Sequence, residues 1–464
     1  MNNIINNKKI GIWGFGVTGQ SILRYLHRLQ IPCAITILEQ KELSTDLVSL
    51  ITQQNAQLFS GTDPVPFIEQ QDIIIPSPGV NLEHYHAYKN KFIAEVDLYQ
   101  TACQQQSTIP KTIAITGSVG KTSITHLLGQ LLSSATVGGN IGTGMLDMLA
   151  RPSDLHIIEL SSFQLEQSKQ FAPDLAIITN LYPNHLDRHK TVDNYFHAKY
   201  NLLAHQTTEQ IALMPLSLFE RVHAAPKTQS IKYFFCMHEV PNNSPLGDKD
   251  MLFCIQDGTI VWQKNGQTKK LIALDQLPDI SLQENWLIIC SVLYLLNIPL
   301  ISLQKCRHNL KLLKDRLEKV ATINQIDFYN DSKSTTNQST IAAINALQCK
   351  SNKPIHLFLG GLSKGVDRTP LIQEIKNKCL KNQITHVYCF GKEATTLSKL
   401  CADFAIKNSA YATLEDAFTA SVHNVQPGDQ VLLSPGGASY DLFKNYEERG
   451  EIFRQLVLTK FPAT

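Results

Sequence analysis

Three times along this chain an apolar strand runs into a glycine-containing or polar turn and then into an amphipathic helix. The first unit is KIGIWGFGVTGQSILRYL from Lys9. The second is KTIAITGSVGKTSITHLLGQLL from Lys111. The third begins at DFYNDSKSTTNQSTIAAINAL and continues through IHLFLGGLSKGVDR. Strands alternating with helices imply parallel sheets of the doubly wound kind, so the pattern predicts an α/β fold. At 464 residues the length alone sets a prior of about three domains. A composition of 43% hydrophobic and 18% charged residues supports real cores.

The same figures exclude several classes. A net charge of +2, without a dense Lys/Arg run, predicts no nucleic-acid partner. The ten cysteines fall singly with no C-x-x-C pair, so neither a zinc site nor a disulfide framework is expected, and free thiols suit a reducing cytoplasm. The first residues lead straight into a strand-like segment, which predicts no signal peptide. The apolar run at 286–296 is short for a membrane span and predicts a buried helix.

Within the second unit Ile124, Leu127, Leu128, Leu131 and Leu132 recur at helical spacing and predict one core-facing stripe. The polar, proline-containing stretch 104–111 reads as a linker, and a second break falls near 308–315. The domains expected are therefore 1–108, 109–311 and 312–464. Residues 207–275 read as smaller mixed structure inside the middle domain.

GFGVTG, residues 14–19, matches G-x-G-x-x-G between a strand and a helix, and Glu39 ends the next strand. Backbone N–H groups at a helix start can hold a pyrophosphate. On pattern alone NAD, another phosphorylated nucleotide and a bare tight turn all stay open. The second loop, TGSVGKTS, is more specific. It keeps Gly120, Lys121 and Thr122 of a phosphate loop but has Ile115 where the first glycine would stand. Lys121 offers a point charge to phosphates and the Thr122 hydroxyl a magnesium ligand. Downstream, a buried strand ends in Glu159, at the carboxyl edge where such sheets bind ligands.

TGSVGKTS, GGNIG (138–142), ELSSFQLE (159–166), TNLYPNHLDRH (179–189) and NDSK (330–333), in this order, resemble the Mur ligases of peptidoglycan synthesis. In that family the loop has the shortened TGxxGK[ST] form. ELSSFQLE and LLSPGGASYDLFKNYEERG (432–450) are most similar to the members that join D-glutamate to UDP-N-acetylmuramoyl-L-alanine. The resemblance implies three domains: a Rossmann-like one for the UDP-sugar, a central phosphate-loop ATPase domain with a mainly parallel sheet, and a C-terminal Rossmann-like domain that closes over the amino acid about a hinge near 308–315. It implies an ADP-forming ligase that makes an acyl phosphate from ATP, working as a cytoplasmic monomer with Mg²⁺, in two ions.

By resemblance, Gly117, Ser118, Gly120, Lys121, Thr122, Ser123, Asn285, Arg316 and Asp331 would hold ATP. Val17, Thr18, Gln40, Lys41, Ser77, Gly79, Asn140 and Ser161 would hold the UDP-substrate. Thr335, Lys364, Ser439 and Tyr446 would hold D-glutamate. The catalytic set would be Lys121, Glu159, His185, Lys199 and Lys333, with Thr122, Glu159, His185 and Lys199 on metal. Lys199 lies where the family carries a lysine carbamylated by CO₂; its own segment, NYFHAKYNLL, reads as a surface helix. The chain departs from the family at Val119 and Thr336, each in place of Asn, at Glu284 and Ile288 in the adenine-side motif, in SPGGAS for a SPACAS-like string, and at Tyr446 for Phe. Another amide ligase of the superfamily, a non-catalytic UDP-sugar-binding paralogue and a NAD-dependent oxidoreductase are the competing readings.

Overall fold

The computed structural model describes residues 5–225, 228–238, 246–247, 250–278, 282–306, 308–311 and 313–461. Residue 312 of the expected hinge, and 226–227, 239–245 and 248–249 of the central stretch, lie outside them.

Among the described residues the strands assemble into three sheets. The first orders Gln57–Leu58, Ala34–Leu38, Lys9–Trp13 and Ile73–Pro76, all parallel. Its central strand buries Ile10 and Ile12 completely. Such strands read as near-continuous apolar runs because helices cover both faces.

The second sheet has nine strands. Thr136–Gly139, Leu155–Glu159, Lys111–Thr116, Leu175–Ile178, Ile211–Pro215, Ile231–Cys236 and Met251–Gln256 are parallel neighbours in that order. Thr259–Lys264 and Gln267–Ala273 then add antiparallel at the edge. The stretch 207–275 is thus the outer half of the main sheet. The helix Lys121–Leu131 buries Ile124, Leu127 and Leu128 against it. The predicted stripe stops earlier than its spacing implied: Leu132 is the cap, and Leu131 and Leu132 are half-buried. Gln283–Leu295 is a buried helix, as its length predicted. No helix among the described residues is long and apolar enough to cross a membrane.

The first two sheets share one compact unit, made of the described residues through Leu181 together with Phe196–Pro278 and Gln283–Leu310. Charge and packing tie its parts together. Helix Val17–Leu29 lies on the short helix Met145–Met148, where Arg24 forks onto Asp147 at 3.1 and 2.6 Å and the Asp147 N–H donates to Ser21 Oγ at 3.1 Å. A planar guanidinium on a carboxylate fixes orientation as well as distance. The buried Asp97 carboxylate accepts from Ser168 Oγ and from the N–H groups of Lys169, Gln170 and Phe171, which nails helix Glu95–Cys103 to the turn below the second sheet.

Glu95, two residues away, is buried without such a cage. Neither carboxyl oxygen has a hydrogen-bond partner, and burial pushes its pKa up to about 7, tempered by Gln164, the Met145 N–H and Thr18 nearby. A raised carboxyl pKa stabilises the fold at low pH, and that stability is lost as pH rises through the folded value. Glu95→Gln is therefore expected to gain stability over the parent between pH 5 and pH 8, by on the order of 3 kcal/mol at most. Denaturant unfolding at both pH values checks this, and equal stability differences at the two would contradict it.

The second unit comprises the described residues of Tyr182–Tyr195, 279–282 and 311–464. Its six-stranded sheet orders Glu318–Ile323, Ile326–Asn330, Gln430–Leu433, Ile355–Gly360, Ile384–Phe390 and Asn408–Tyr411. All neighbours are parallel except the first hairpin. Helix Tyr446–Lys460, capped by Asn445 Oδ1 on the Glu448 N–H at 2.8 Å, closes one face with Phe453 and Val457 in the core.

Candidate active site

The phosphate-type loop joins strand Lys111–Thr116 to helix Lys121–Leu131. Its two glycines are demanded by the protein itself. Gly117 has φ +146°, and a Cβ there would lie 1.9 Å from Thr179 Oγ1; Gly120 has φ +89° and would clash with Asn285 Oδ1 at 2.7 Å. Position 115 carries no such demand, because Ile115 is an ordinary buried strand residue. The shortened turn is therefore sound without its first glycine.

Thr179 and Asn180, quoted in the motif string but given no role by the sequence, brace the loop. Thr179 Oγ1 donates to the Val119 carbonyl at 2.6 Å, Asn180 Oδ1 accepts from the Val119 N–H at 2.8 Å, and the Asn180 carbonyl accepts from the Ser118 N–H at 3.1 Å. These bonds use only the backbone of position 119, so Val in place of Asn leaves the loop intact. Glu284 is pushed up to about 7 by burial, opposed by a hydrogen bond from Asn180. Asn285 sits against Gly120, at the loop itself.

Lys121 curls back so that Nζ donates to the Gly117 carbonyl at 2.8 Å. Lys199 arrives on helix Val192–Tyr200 and is 1% exposed. Its Nζ donates to the same carbonyl at 2.9 Å and to Thr116 Oγ1 at 3.2 Å. Burial, and then the charge of Lys121, hold the Lys199 amine well below the ordinary lysine range, with Glu159 opposing. A desolvated cation beside a like charge favours its neutral, nucleophilic form.

Glu159 ends strand Leu155–Glu159 and is 1% exposed. Asn140 grips it twice, its N–H on the Glu159 carbonyl at 2.8 Å and its side-chain amide on Oε1 at 2.9 Å. Oε2 is buried with no hydrogen-bond partner. An orphaned buried carboxylate oxygen is costly unless a cation completes it, so the residues present fit a magnesium ion. Asn140, expected on the UDP-substrate, thus orients this carboxylate.

At the first glycine loop Gly14, at φ +91°, would drive a Cβ to 2.9 Å from the Ser77 side chain, and a Cβ at Gly19 would stand 2.1 Å from the Gly14 carbonyl. Ser77 Oγ donates to that carbonyl at 3.0 Å, and Glu39 accepts from the Phe15 and Lys41 N–H groups at 2.7 and 3.0 Å. Glu39 is thereby spent on the loop. Gly16 differs: a Cβ would meet nothing within 4 Å, and Gly79 is equally open. Val17 is exposed at the helix start beside Thr18, and Lys41 is exposed. Gln40 reaches the Thr62 carbonyl at 3.4 Å. Ser161 is taken up in a capping box with Gln164. Gly16→Ala is expected to lower stability by less than about 1 kcal/mol, the scale of an N-cap change, while weakening UDP-sugar binding at least about tenfold if a diphosphate approaches that backbone. Calorimetry of both quantities checks it; unchanged affinity would contradict it.

In the second unit Arg316 lies between Asp315 and Leu317, both in the left-handed region at φ 61° and 45°. Its guanidinium is 3.7 Å from Asp331, whose carboxyl burial pushes up to about 6 while the Leu317 N–H and Ser434 Oγ donate to it. Lys333 Nζ donates to Tyr446 Oη at 2.9 Å. Lys364 sits at φ 55° beside Gly365, in the loop after strand Ile355–Gly360, and Ser439 is buried. Thr335 follows Lys333 in the turn ahead of helix Asn337–Lys350, whose capping box uses Thr336, so Asn is not needed there. His185, at φ 54°, caps the short helix Leu186–His189 with its ring 6.5 Å from Tyr195. Among the residues sequence reasoning missed are two buried arginines under the SPGGAS loop. Arg368 donates to the Gly436 carbonyl at 2.5 Å and Arg449 to the Gly437 carbonyl at 3.1 Å. Gly436 has φ +68°, and a Cβ at Gly437 would lie 2.4 Å from Arg368, which accounts for the two glycines.

Comparison with known proteins agrees with this architecture. A family profile described as Mur ligase middle domain matches residues 115–236, one described as Mur ligase, glutamate ligase domain matches 315–437, and a Mur ligase MurD-like N-terminal domain matches 8–92. The UDP-N-acetylmuramoylalanine–D-glutamate ligase of Acidobacterium capsulatum is 31% identical over 98% of this chain and 97% of its own length. That of Alkaliphilus oremlandii is 29% identical over 98% of both. Among solved structures, the MurF ligase of Thermotoga maritima in complex with ADP superposes with a TM-score of 0.56 at 16% identity, covering 93% of this chain and 97% of that one. The pseudomurein peptide ligase type C of Methanothermus fervidus gives 0.56 at 13% identity, covering 97% and 100%. Matched by three family profiles and by a 31%-identical relative over 98% of its length, the chain belongs to the Mur ligase family.

Proposed function

We propose that the chain is an ATP-dependent, ADP-forming ligase that joins D-glutamate to UDP-N-acetylmuramoyl-L-alanine, acting as a cytoplasmic monomer of three domains, 1–108, 109–311 and 312–464. The observation that carries the reading is the meeting of Lys121, Lys199 and Glu159 around one turn at the carboxyl edge of a parallel sheet. Curated relatives of that name, matched end to end, support the choice of substrates.

The difficulty of the reaction is charge. A carboxylate must approach a γ-phosphate that is already negative, so cations and alignment supply most of the rate. In this reading an oxygen of the L-alanyl carboxylate attacks the γ-phosphorus and ADP leaves. The D-glutamate nitrogen then attacks the acyl carbon, phosphate leaves, and the amine gives up its proton. Gly117, Ser118, Gly120, Thr122 and Ser123 cradle the phosphates, Lys121 unfolds from the Gly117 carbonyl to meet them, Arg316 also serves the phosphates, Asp331 the ribose, and Asn285 the adenine side. Thr122, Glu159 and His185 would hold Mg²⁺, in two ions, which when bound neutralises the facing anions. The neutral Lys199 amine adds to the carbon of CO₂ and loses a proton, becoming an anionic carbamate able to join them. Val17, Thr18, Gln40, Lys41, Ser77, Gly79, Asn140 and Ser161 serve the UDP-sugar, His185 and Lys333 the reacting groups, and Thr335, Lys364, Ser439 and Tyr446 the D-glutamate carboxylates.

Phosphate release from ATP tests this. It is expected only when UDP-N-acetylmuramoyl-L-alanine and D-glutamate are both present. Release with L-glutamate or with tripeptide precursors instead would transfer the chain to another ligase of the superfamily, and tight UDP-sugar binding without release would make it a binding paralogue.

A further inference from the structure

The Tyr446 hydroxyl, which the resemblance to the family did not anticipate, is engaged. Lys333 Nζ donates to Tyr446 Oη at 2.9 Å and stands 4.7 Å from the centre of the phenol ring. The phenol oxygen thus offers the ammonium a lone pair, and the two distances place the ammonium off the hydroxyl end of the ring. The two residues are 113 positions apart, and their meeting is held from behind. Ser332 Oγ donates to the Tyr446 carbonyl at 2.8 Å and accepts from Arg449 Nε at 3.0 Å; a second Arg449 nitrogen donates to the Ser332 carbonyl at 2.7 Å and a third to the Gly437 carbonyl at 3.1 Å. Arg449 is wholly buried, and among the described residues it forms no ion pair. It spends its donors on two backbone carbonyls and the Ser332 hydroxyl and so locks the NDSK turn, the SPGGAS loop and the first turn of helix Tyr446–Lys460 into one body. Gly450 lets that helix come close: a Cβ there would lie 2.0 Å from Asp315 Oδ1. The charged groups facing the phenol are Glu447 on its own helix and Asp315 and Arg316 on the neighbouring turn.

We propose that the Tyr446 hydroxyl is a positioning group for Lys333, holding its ammonium at the hydroxyl end of the ring so that it meets the reacting groups already aligned. The proposal rests on the reading of Lys333 at the reaction centre. A Phe at 446 keeps the ring and the packing but removes the oxygen that accepts from the ammonium.

Tyr446→Phe in the full chain separates these roles. Competitive labelling of lysines with acetic anhydride, read at Lys333 by mass spectrometry, reports the amine directly. Without the phenol oxygen the charged form loses an acceptor, so labelling near neutral pH is expected to run about threefold faster. The turnover number is expected to fall about tenfold, the size of one modest hydrogen bond, with KM for the UDP-sugar and the melting temperature unchanged. In a Lys333→Met background Tyr446→Phe is expected to cost nothing further, because the interaction it removes is already gone. Unchanged labelling would overturn the pairing. An equal rate loss in the Lys333→Met background, or altered labelling with no rate loss, would overturn the positioning role. Full activity in Lys333→Met would overturn the reading of Lys333 as well, while the labelling still decided whether the pair exists.

Discussion

Lys199→Ala is expected to lose activity on the order of 10³-fold, the scale seen when a group that meets developing charge is removed, and added bicarbonate is not expected to restore it. The reason is the site of the amine. It is fully buried on the Gly117 carbonyl, and burial together with Lys121 holds it well below the ordinary lysine range. In the proposed role the amine adds CO₂ in its neutral form; a methyl group cannot. ¹³C-NMR of enzyme equilibrated with ¹³C-bicarbonate gives an independent readout, with a carbamate resonance present in the parent and absent in the variant. Turnover within about threefold of the parent, a loss too small for a charge-meeting group, would refute the role.

Glu159→Gln is expected to have the second largest effect. It removes one negative charge while keeping shape, so a loss on the order of 10²-fold is expected together with a raised Mg²⁺ requirement in titration. Stability should hold or rise, because the buried Oε2 that lacks a donor is no longer charged. If the Mg²⁺ dependence of the variant overlay that of the parent, Glu159 would not serve a metal.

Much of the architecture was legible in the sequence because its causes are local. The strand–turn–helix units follow from hydrophobic period and turn chemistry, and Gly120 and Glu159 stand where a loop and a strand end demand them. What stayed hidden is tertiary. Lys199 occupies an ordinary helical segment, and only the folded chain brings its amine, buried, onto the Gly117 carbonyl. The five strands between Ile211 and Ala273 are short, and the last two pair antiparallel, so nothing in their spacing announced that they continue the main sheet. Thr179, Asn180 and Arg449 act through backbone groups, which no side-chain pattern encodes. The roles of the second unit's residues came from family resemblance, and Tyr446, a departure from it, proved to be bonded to Lys333.

The account turns on one place where two anions are brought together. Crystals soaked with a non-hydrolysable ATP analogue and Mn²⁺, measured at the manganese absorption edge, test it most directly. The account predicts the triphosphate against Gly120 and Lys121, with an anomalous peak beside Glu159 Oε2. Nucleotide bound elsewhere, or a loop filled with phosphate and no metal at Glu159, would contradict it.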